Sequence, residues 1–304
     1  MLLTVDGCIR EAARQAAAHV GVSPAPIERF LRTGDETWEG AGSGQFTRAA
    51  IKQDEIHSQA AKAALRNLLR RLADLLPSEL RSAPAVASEV IRERVAPIVR
   101  GLVQADWQEI ALRELTRRTF VLNFAGAEVA LEAELSTGFL STAWQVLWAF
   151  HGDWGLKPDE IVIELDGVSG GEFAHVRWSA YQTDDLYSDV IVHEAAHLLH
   201  YLKPEHYGLR VRRGQERLVD IEFRHRELFA FACEAYAQVV KRGDRGTRVS
   251  FAANMTAEAH SFPPDQLGAV AALVQEAAHA RNGWGVIRDA TVTPPRRRVK
   301  TCCC

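Results

Sequence analysis

The 304-residue chain has little cysteine in its body and no long apolar run. Of five cysteines, three are the final residues Cys302, Cys303 and Cys304, and the other two, Cys8 and Cys233, lie far apart. That spacing excludes a disulfide framework and points to a reducing, cytoplasmic compartment. No stretch approaches 18 consecutive apolar residues, which excludes a membrane-spanning helix. The opening MLLTVDGCIREAARQ has no basic segment followed by a long apolar one, so no secretory leader is expected. An excess of one charge is also missing. Lys and Arg number 36 against 39 Asp and Glu, a net charge of -3, and nothing in that balance attracts nucleic acid. What remains is ordinary globular composition, 47% apolar and 25% charged. The length suffices for one large core or two modest ones.

The first part of the chain reads as mainly helical. Residues 5–20 are Ala-rich with interspersed polar positions, and residues 47–75 place Leu65, Leu68, Leu69 and Leu72 on one helix side. Between them, Pro24, Pro26 and the glycines from Gly34 to Gly44 predict a loop. A second helical region runs over 88–117, with an interruption expected at Pro97. The character then changes. Residues 119–124 and 127–131 read as short strands around Gly126. Residues 139–150 read as a buried helix, and 161–165 and 173–181 as a strand hairpin. Further helices are expected over 188–202, 226–241 and 264–281. The tail TPPRRRVKTCCC has no packing pattern. The resulting division is a helical region over 1–118, a second domain over 119–292, and a basic, Cys-ending tail over 293–304.

The 188–202 helix contains His193-Glu194-Ala195-Ala196-His197. Residues four apart on a helix differ by about 40° and about 6 Å, so both imidazoles project from one face onto a single Zn²⁺. Glu194, rotated by about 100° from His193, reaches a water in the open coordination place, as a general base must. The bland alternative is a surface helix with charged neighbours. The apolar flanks Ile191, Val192, Leu198 and Leu199 argue against it, because a buried His-Glu-His cluster is costly without a metal or partners. A third protein ligand is required, and the 226–241 segment offers Glu227 and Glu234, seven positions apart on one face. One zinc cannot take both, and the spacing alone leaves the choice open.

A His-Glu-x-x-His helix followed by a glutamate on a second helix resembles the gluzincin group of zincin metallopeptidases. The segment Glu227-Leu-Phe-Ala and the longer Glu-x-Phe-Ala-x-x-x-Glu-x-Tyr pattern resemble the Mlc titration factor family and, less closely, the anthrax lethal factor catalytic domain. The matching residues span roughly 190–240 of the chain. The resemblance implies an α+β, zincin-like catalytic domain with a small sheet and an active-site helix. It maps the third ligand to Glu227 and the second acidic position to Glu234. It implies a zinc metallopeptidase acting on a peptide or protein substrate. The helical region over 1–118 has no counterpart in the resemblance, and its role is open between an inhibitory segment, a substrate receptor and an assembly domain, any of which could bind a protein partner.

Other candidates follow from position. Tyr201, Tyr207 and Tyr236 can each donate to an oxyanion, and Tyr236, on the ligand helix, is the favoured catalytic candidate. His200 reads as a half-exposed helix residue. Arg224 and His225 precede the ligand helix, and Cys233 reads as a small core residue. The connector over 204–224 carries five arginines and is either a substrate wall or a charged loop. The three terminal thiols suit a soft metal, lipid or interchain pairing without favouring one. From a different class comes a zinc-containing regulatory or binding protein of zincin fold with little or no proteolytic activity.

Overall fold

The structure, a computed structural model, describes residues 4–38, 48–137, 139–161, 166–170, 172–208 and 217–292. In chain order the elements are α1 (Val5–Val20), α2 (Pro24–Thr33), α3 (Arg48–Ala73), α4 (Ser78–Arg81), α5 (Ser88–Leu102), α6 (Ala105–Arg118), β1 (Thr119–Leu122), α7 (Phe124–Thr137) and α8 (Leu140–Gly152). They continue with β2 (Gly167–Gly170), β3 (Phe173–Arg177), α9 (Trp178–Tyr181), α10 (Val190–Tyr201), α11 (Arg226–Val240), α12 (Arg245–Glu258), α13 (Pro264–His279) and α14 (Gly283–Thr291). Helix dominates, with one three-stranded mixed sheet among the described residues. This is an α+β composition. No helix among the described residues is long and apolar enough to cross a membrane.

The described residues pack as two compact units. The first lies within Met1–Ile91 and Arg117–Thr183, the second within Arg92–Thr116 and Asp184–Cys304. Residues on both sides of position 118 therefore contribute to both units. The tail over 293–304 lies outside the described residues.

In the first unit, α1 buries Ile9, Ala12, Ala13 and Ala16, spaced for one helix face. They join a core with Ile27, Phe30 and Leu31 of α2 and with Leu65, Leu68, Leu69 and Leu72 of α3. The loop expected at Pro24 and Pro26 is a helix instead. Both prolines fall in its first turn, where the missing N–H costs nothing. Ser23 caps the start, and Gly34 ends the helix in the left-handed region with φ 72°. Near that end the Leu31 carbonyl accepts the indole N–H of both Trp144 and Trp148 at 2.9 Å, so a buried backbone acceptor is satisfied twice.

The sheet has the order β1-β3-β2. β1 runs parallel to β3, with Phe120 opposite His175, and β2 runs antiparallel to it. The strand expected over 127–131 lies inside α7. Asn123 starts that helix by accepting the Gly126 N–H at 2.8 Å. Gly126 is there because a Cβ would lie 2.0 Å from the Val121 carbonyl oxygen. Of the strand expected over 161–165, only Ile161 is described, and it is buried. The strand expected over 173–181 stops at Arg177. Asp153 grips that residue and also accepts from the Ser179 N–H at 3.1 Å, which turns Trp178–Tyr181 into α9. A buried pair, His175 Nε2 and Glu134 Oε1 at 2.7 Å, joins β3 to α7.

In the second unit, α11 packs against α10, α13 and α14, and α13 packs against α12. α10 is buried on every side from Ile191 to His200. The core of the same unit includes Phe229, Ala230, Ala232, Cys233 and Ala237 of α11. The break expected at Pro97 lies instead at Val103 and Gln104, between α5 and α6. There the Gln108 amide donates to the Val103 carbonyl at 2.9 Å and to the Arg100 carbonyl at 3.2 Å. α12 and α14 had no counterpart in the sequence reading. α12 starts on Asp244, which accepts from Gly246 and Thr247, and α14 starts on Asn282, which accepts from Gly285.

Gly101 of α5 carries the Trp284 ring of α14: a Cβ would lie 2.1 Å from its Cγ. Replacement Gly101→Ala should therefore destabilise the fold by about 1–3 kcal/mol through overpacking, outweighing the gain of about 0.5–1 kcal/mol in helix propensity. Denaturant unfolding measures this. An equal or higher midpoint would show that the Trp284 indole does not sit against this glycine.

Candidate metal centre

The centre lies wholly within the second unit and is built by two helices running in opposite directions. Asp189, at the start of α10, meets Gln238 and Lys241 near the end of α11. His193, one turn on, meets Glu234, and His197, one turn further, meets Glu227 in the first turn of α11. Carboxylates seven positions apart on α11 lie within about 20° of each other. Both therefore face α10, two turns apart.

The two Nε2 atoms of His193 and His197 are 3.2 Å apart. Glu227 Oε2 lies 3.8 Å from His193 Nε2 and 3.4 Å from His197 Nε2. All three ligand atoms fall within 4.8 Å of one another. Glu227, not Glu234, thus reaches the inner nitrogens. Glu234 Oε2 stands 3.1 Å from the opposite nitrogen, His193 Nδ1. Its other oxygen accepts from Ser188 Oγ at 2.6 Å and from the Asp189 N–H at 2.7 Å. Glu234 is therefore an outer carboxylate that orients His193 and fastens the start of α10. Asp189 is itself held by Arg94 at 3.3 Å, from the 92–116 stretch of the same unit.

Three carboxylates, those of Glu194, Glu227 and Glu234, act electrostatically on His193. Glu194 and Glu234 are almost fully buried, at 5% and 3% exposure. Burial works against a charged His193, but the Glu234 hydrogen bond and the surrounding carboxylates outweigh it, and the imidazole lies above its ordinary range. The His197 hydrogen bond holds Glu227 well below the usual carboxylate range, against the opposing effect of burial. Surplus buried negative charge around two inward-facing nitrogens fits a divalent cation. Two imidazoles and a carboxylate are a common zinc donor set, though other first-row ions accept it as well.

His200 is fully buried, where the sequence reading placed it half-exposed. Its Nε2 lies 3.2 Å from His197 Nδ1, because three residues further along α10 is the same helix face. Burial, with repulsion from His197, Arg217 and Arg226, pushes its pKa down to about 3. The chain Glu234–His193–His197–His200 is hydrogen-bonded throughout when His193 is an imidazolium. It then donates to Glu234 and to His197 Nε2, and His197 donates onward to the neutral His200.

Tyr236 is not part of this group. Nine positions after Glu227, it emerges on the opposite side of α11. Its hydroxyl donates to the Ala277 carbonyl at 3.4 Å, and its ring meets Trp284 edge-on. Of Tyr201 and Tyr236, Tyr201 comes nearer. Its ring stacks on His197 at 5.9 Å, and its hydroxyl accepts from Arg226 Nη1 at 3.1 Å. The Tyr207 side chain lies outside the description. Arg226, which the sequence reading passed over, also approaches Glu227 Oε1 at 3.2 Å through its Nε. Arg224 and His225 pair with Glu222. Cys233 is buried in the core, and burial raises its thiol far above the nucleophilic range. Of the arginine-rich connector, residues 209–216 lie outside the described residues, while Arg217 donates to the His200 carbonyl at 2.6 Å.

Comparisons with protein families, with curated proteins and with solved structures returned no match to this chain.

Two outcomes follow from the geometry. Glu234→Gln removes the anion behind His193 and should weaken zinc binding by about 10- to 100-fold, read by chelator competition. The raised pKa of His193 means that a proton competes for Nε2 at higher pH than for an ordinary imidazole. Below that raised pKa, zinc binding should therefore release a proton from His193, and affinity should fall about tenfold per pH unit. Calorimetry in buffers of different protonation enthalpy measures the release, and its absence would refute the proposed direction of the hydrogen-bond chain.

Proposed function

We propose that the chain is a zinc-dependent metallopeptidase acting on a peptide or protein substrate. One observation carries the reading: the Nε2 atoms of His193 and His197 and the Glu227 carboxylate converge within 4.8 Å, with Glu194 in the turn between the two histidines. His193, His197 and Glu227 would hold the ion. When bound, zinc supplies Lewis acidity and lowers the pKa of a coordinated water.

The residues of the chain then divide the remaining tasks. Glu194 is buried, and its charge is felt by both His193 and Tyr201. It takes a proton from the attacking water and passes it to the leaving amine. The Tyr201 hydroxyl and the Arg226 guanidinium, joined at 3.1 Å, donate to the oxyanion that develops on the scissile carbonyl. Arg226 also touches the ligand Glu227, so the cationic donor is fixed relative to the ion. Glu234 and Ser188 hold the first turn of α10 in place. The zincin-type fold is part of the same proposal, supported by a candidate ligand glutamate on the helix that follows the histidine helix. Free, buried Cys8 and Cys233 support a cytoplasmic setting.

Glu194→Gln should keep the zinc content of the wild-type protein and lower peptide hydrolysis by about 10²- to 10⁴-fold. Metal analysis together with proteolysis profiling, with and without chelator, reads both quantities. Undiminished cleavage by the variant would remove Glu194 as the base. A wild-type protein that binds zinc but shows no chelator-sensitive cleavage would leave a binding protein with a metal centre.

A further inference from the structure

We infer that His200 is a positioning residue that accepts the Nδ1–H of His197 and thereby turns the Nε2 lone pair of His197 toward the ion. The inference rests on the metal centre proposed above.

A histidine that ligates through Nε2 must carry its proton on Nδ1, and a partner on that side fixes both tautomer and ring orientation. For His193 the partner is the Glu234 carboxylate at 3.1 Å. For His197, no carboxylate among the described residues is hydrogen-bonded to the outer nitrogen. Among the described residues, the hydrogen-bond partner of His197 Nδ1 is His200 Nε2 at 3.2 Å. Two facing imidazole nitrogens make a hydrogen bond only when one is protonated and the other is not. His197 must be the donor, so His200 presents a bare Nε2 and carries its proton on Nδ1.

The surroundings suit a neutral acceptor there. Three carboxylates already act on the ligand pair and together outweigh the charge of a divalent ion, and a fourth behind His197 would enlarge that buried surplus. An imidazole orients the ligand without adding charge. Its position is fixed by the backbone as well as by packing: Arg217 grips the His200 carbonyl at 2.6 Å, and Phe229 of α11 meets the ring edge-on at 6.1 Å. His200 is not a fourth ligand, because its Nε2 faces the outer nitrogen of His197, across the ring from the paired Nε2 atoms.

The test compares His200→Phe, which keeps a ring and removes the acceptor, with His200→Gln, whose side-chain carbonyl restores one. Imidazole ¹⁵N NMR of the metal-free protein should show His197 protonated on Nδ1 in the wild type and in His200→Gln. In His200→Phe the proton should move to Nε2 or divide between the two nitrogens. Zinc affinity by chelator competition should fall about 10- to 100-fold in His200→Phe and stay within a few-fold of wild type in His200→Gln. Wild-type affinity together with an unchanged His197 tautomer in His200→Phe would overturn the assignment. So would a wild-type protein whose His197 carries its proton on Nε2, a measurement that stands even if the phenylalanine variant does not fold. A wild-type protein that takes up no zinc refutes the metal centre instead, while the metal-free tautomers still decide what His200 does.

Discussion

The opposed directions of α10 and α11 set which side chains of the two helices meet in the candidate metal centre. Because the helices run antiparallel, each turn forward on α10 meets an earlier turn on α11. Asp189, His193 and His197 are thereby matched with Gln238, Glu234 and Glu227 in reverse order. Small buried residues flank the facing side chains, Ala196 on one helix and Ala230 and Ala237 on the other. Electrostatics then sharpens what packing begins. The buried Glu234 carboxylate binds a helix start, a serine hydroxyl and an imidazole at once, so the first turn of α10 cannot rotate without stranding a charge.

The core of this centre was legible in the sequence. The i,i+4 histidines and the intervening glutamate need only helix geometry, and the apolar neighbours signalled burial. The choice between Glu227 and Glu234 was not legible from spacing, because both face the same way. It depends on the axial offset between two helices, which no local pattern encodes. Tyr236 was a misreading of a kind that helix arithmetic corrects, since nine positions from Glu227 places it on the far side. His200 and Arg226 carry weak signals: one lies three residues beyond a candidate ligand, the other immediately before one. Sequence gives such residues a place on a helix but not a partner.

For the fold, long periodic helices such as α1, α3 and α13 were readable within a few residues. Sequence and structure part at glycine and proline. Pro24 and Pro26 initiate α2, Pro97 is carried inside α5, and Gly126 lets the first turn of α7 approach β1 closely. In each case the residue marks a tight backbone arrangement and not an interruption, and what it touches lies far along the chain or around a corner. The division into units was equally hidden, because each is assembled from two separated stretches.

The interval between Glu227 and Glu234 has a consequence of its own. Seven residues is the repeat that keeps side chains on the seam of a left-handed helix pair. Removing or inserting one residue between them would swing the downstream carboxylate by about 100°, although every functional side chain would still be present. The intervening Leu228 to Cys233 can change identity wherever volume is preserved, but their number cannot change. In this helix, length is under tighter constraint than composition.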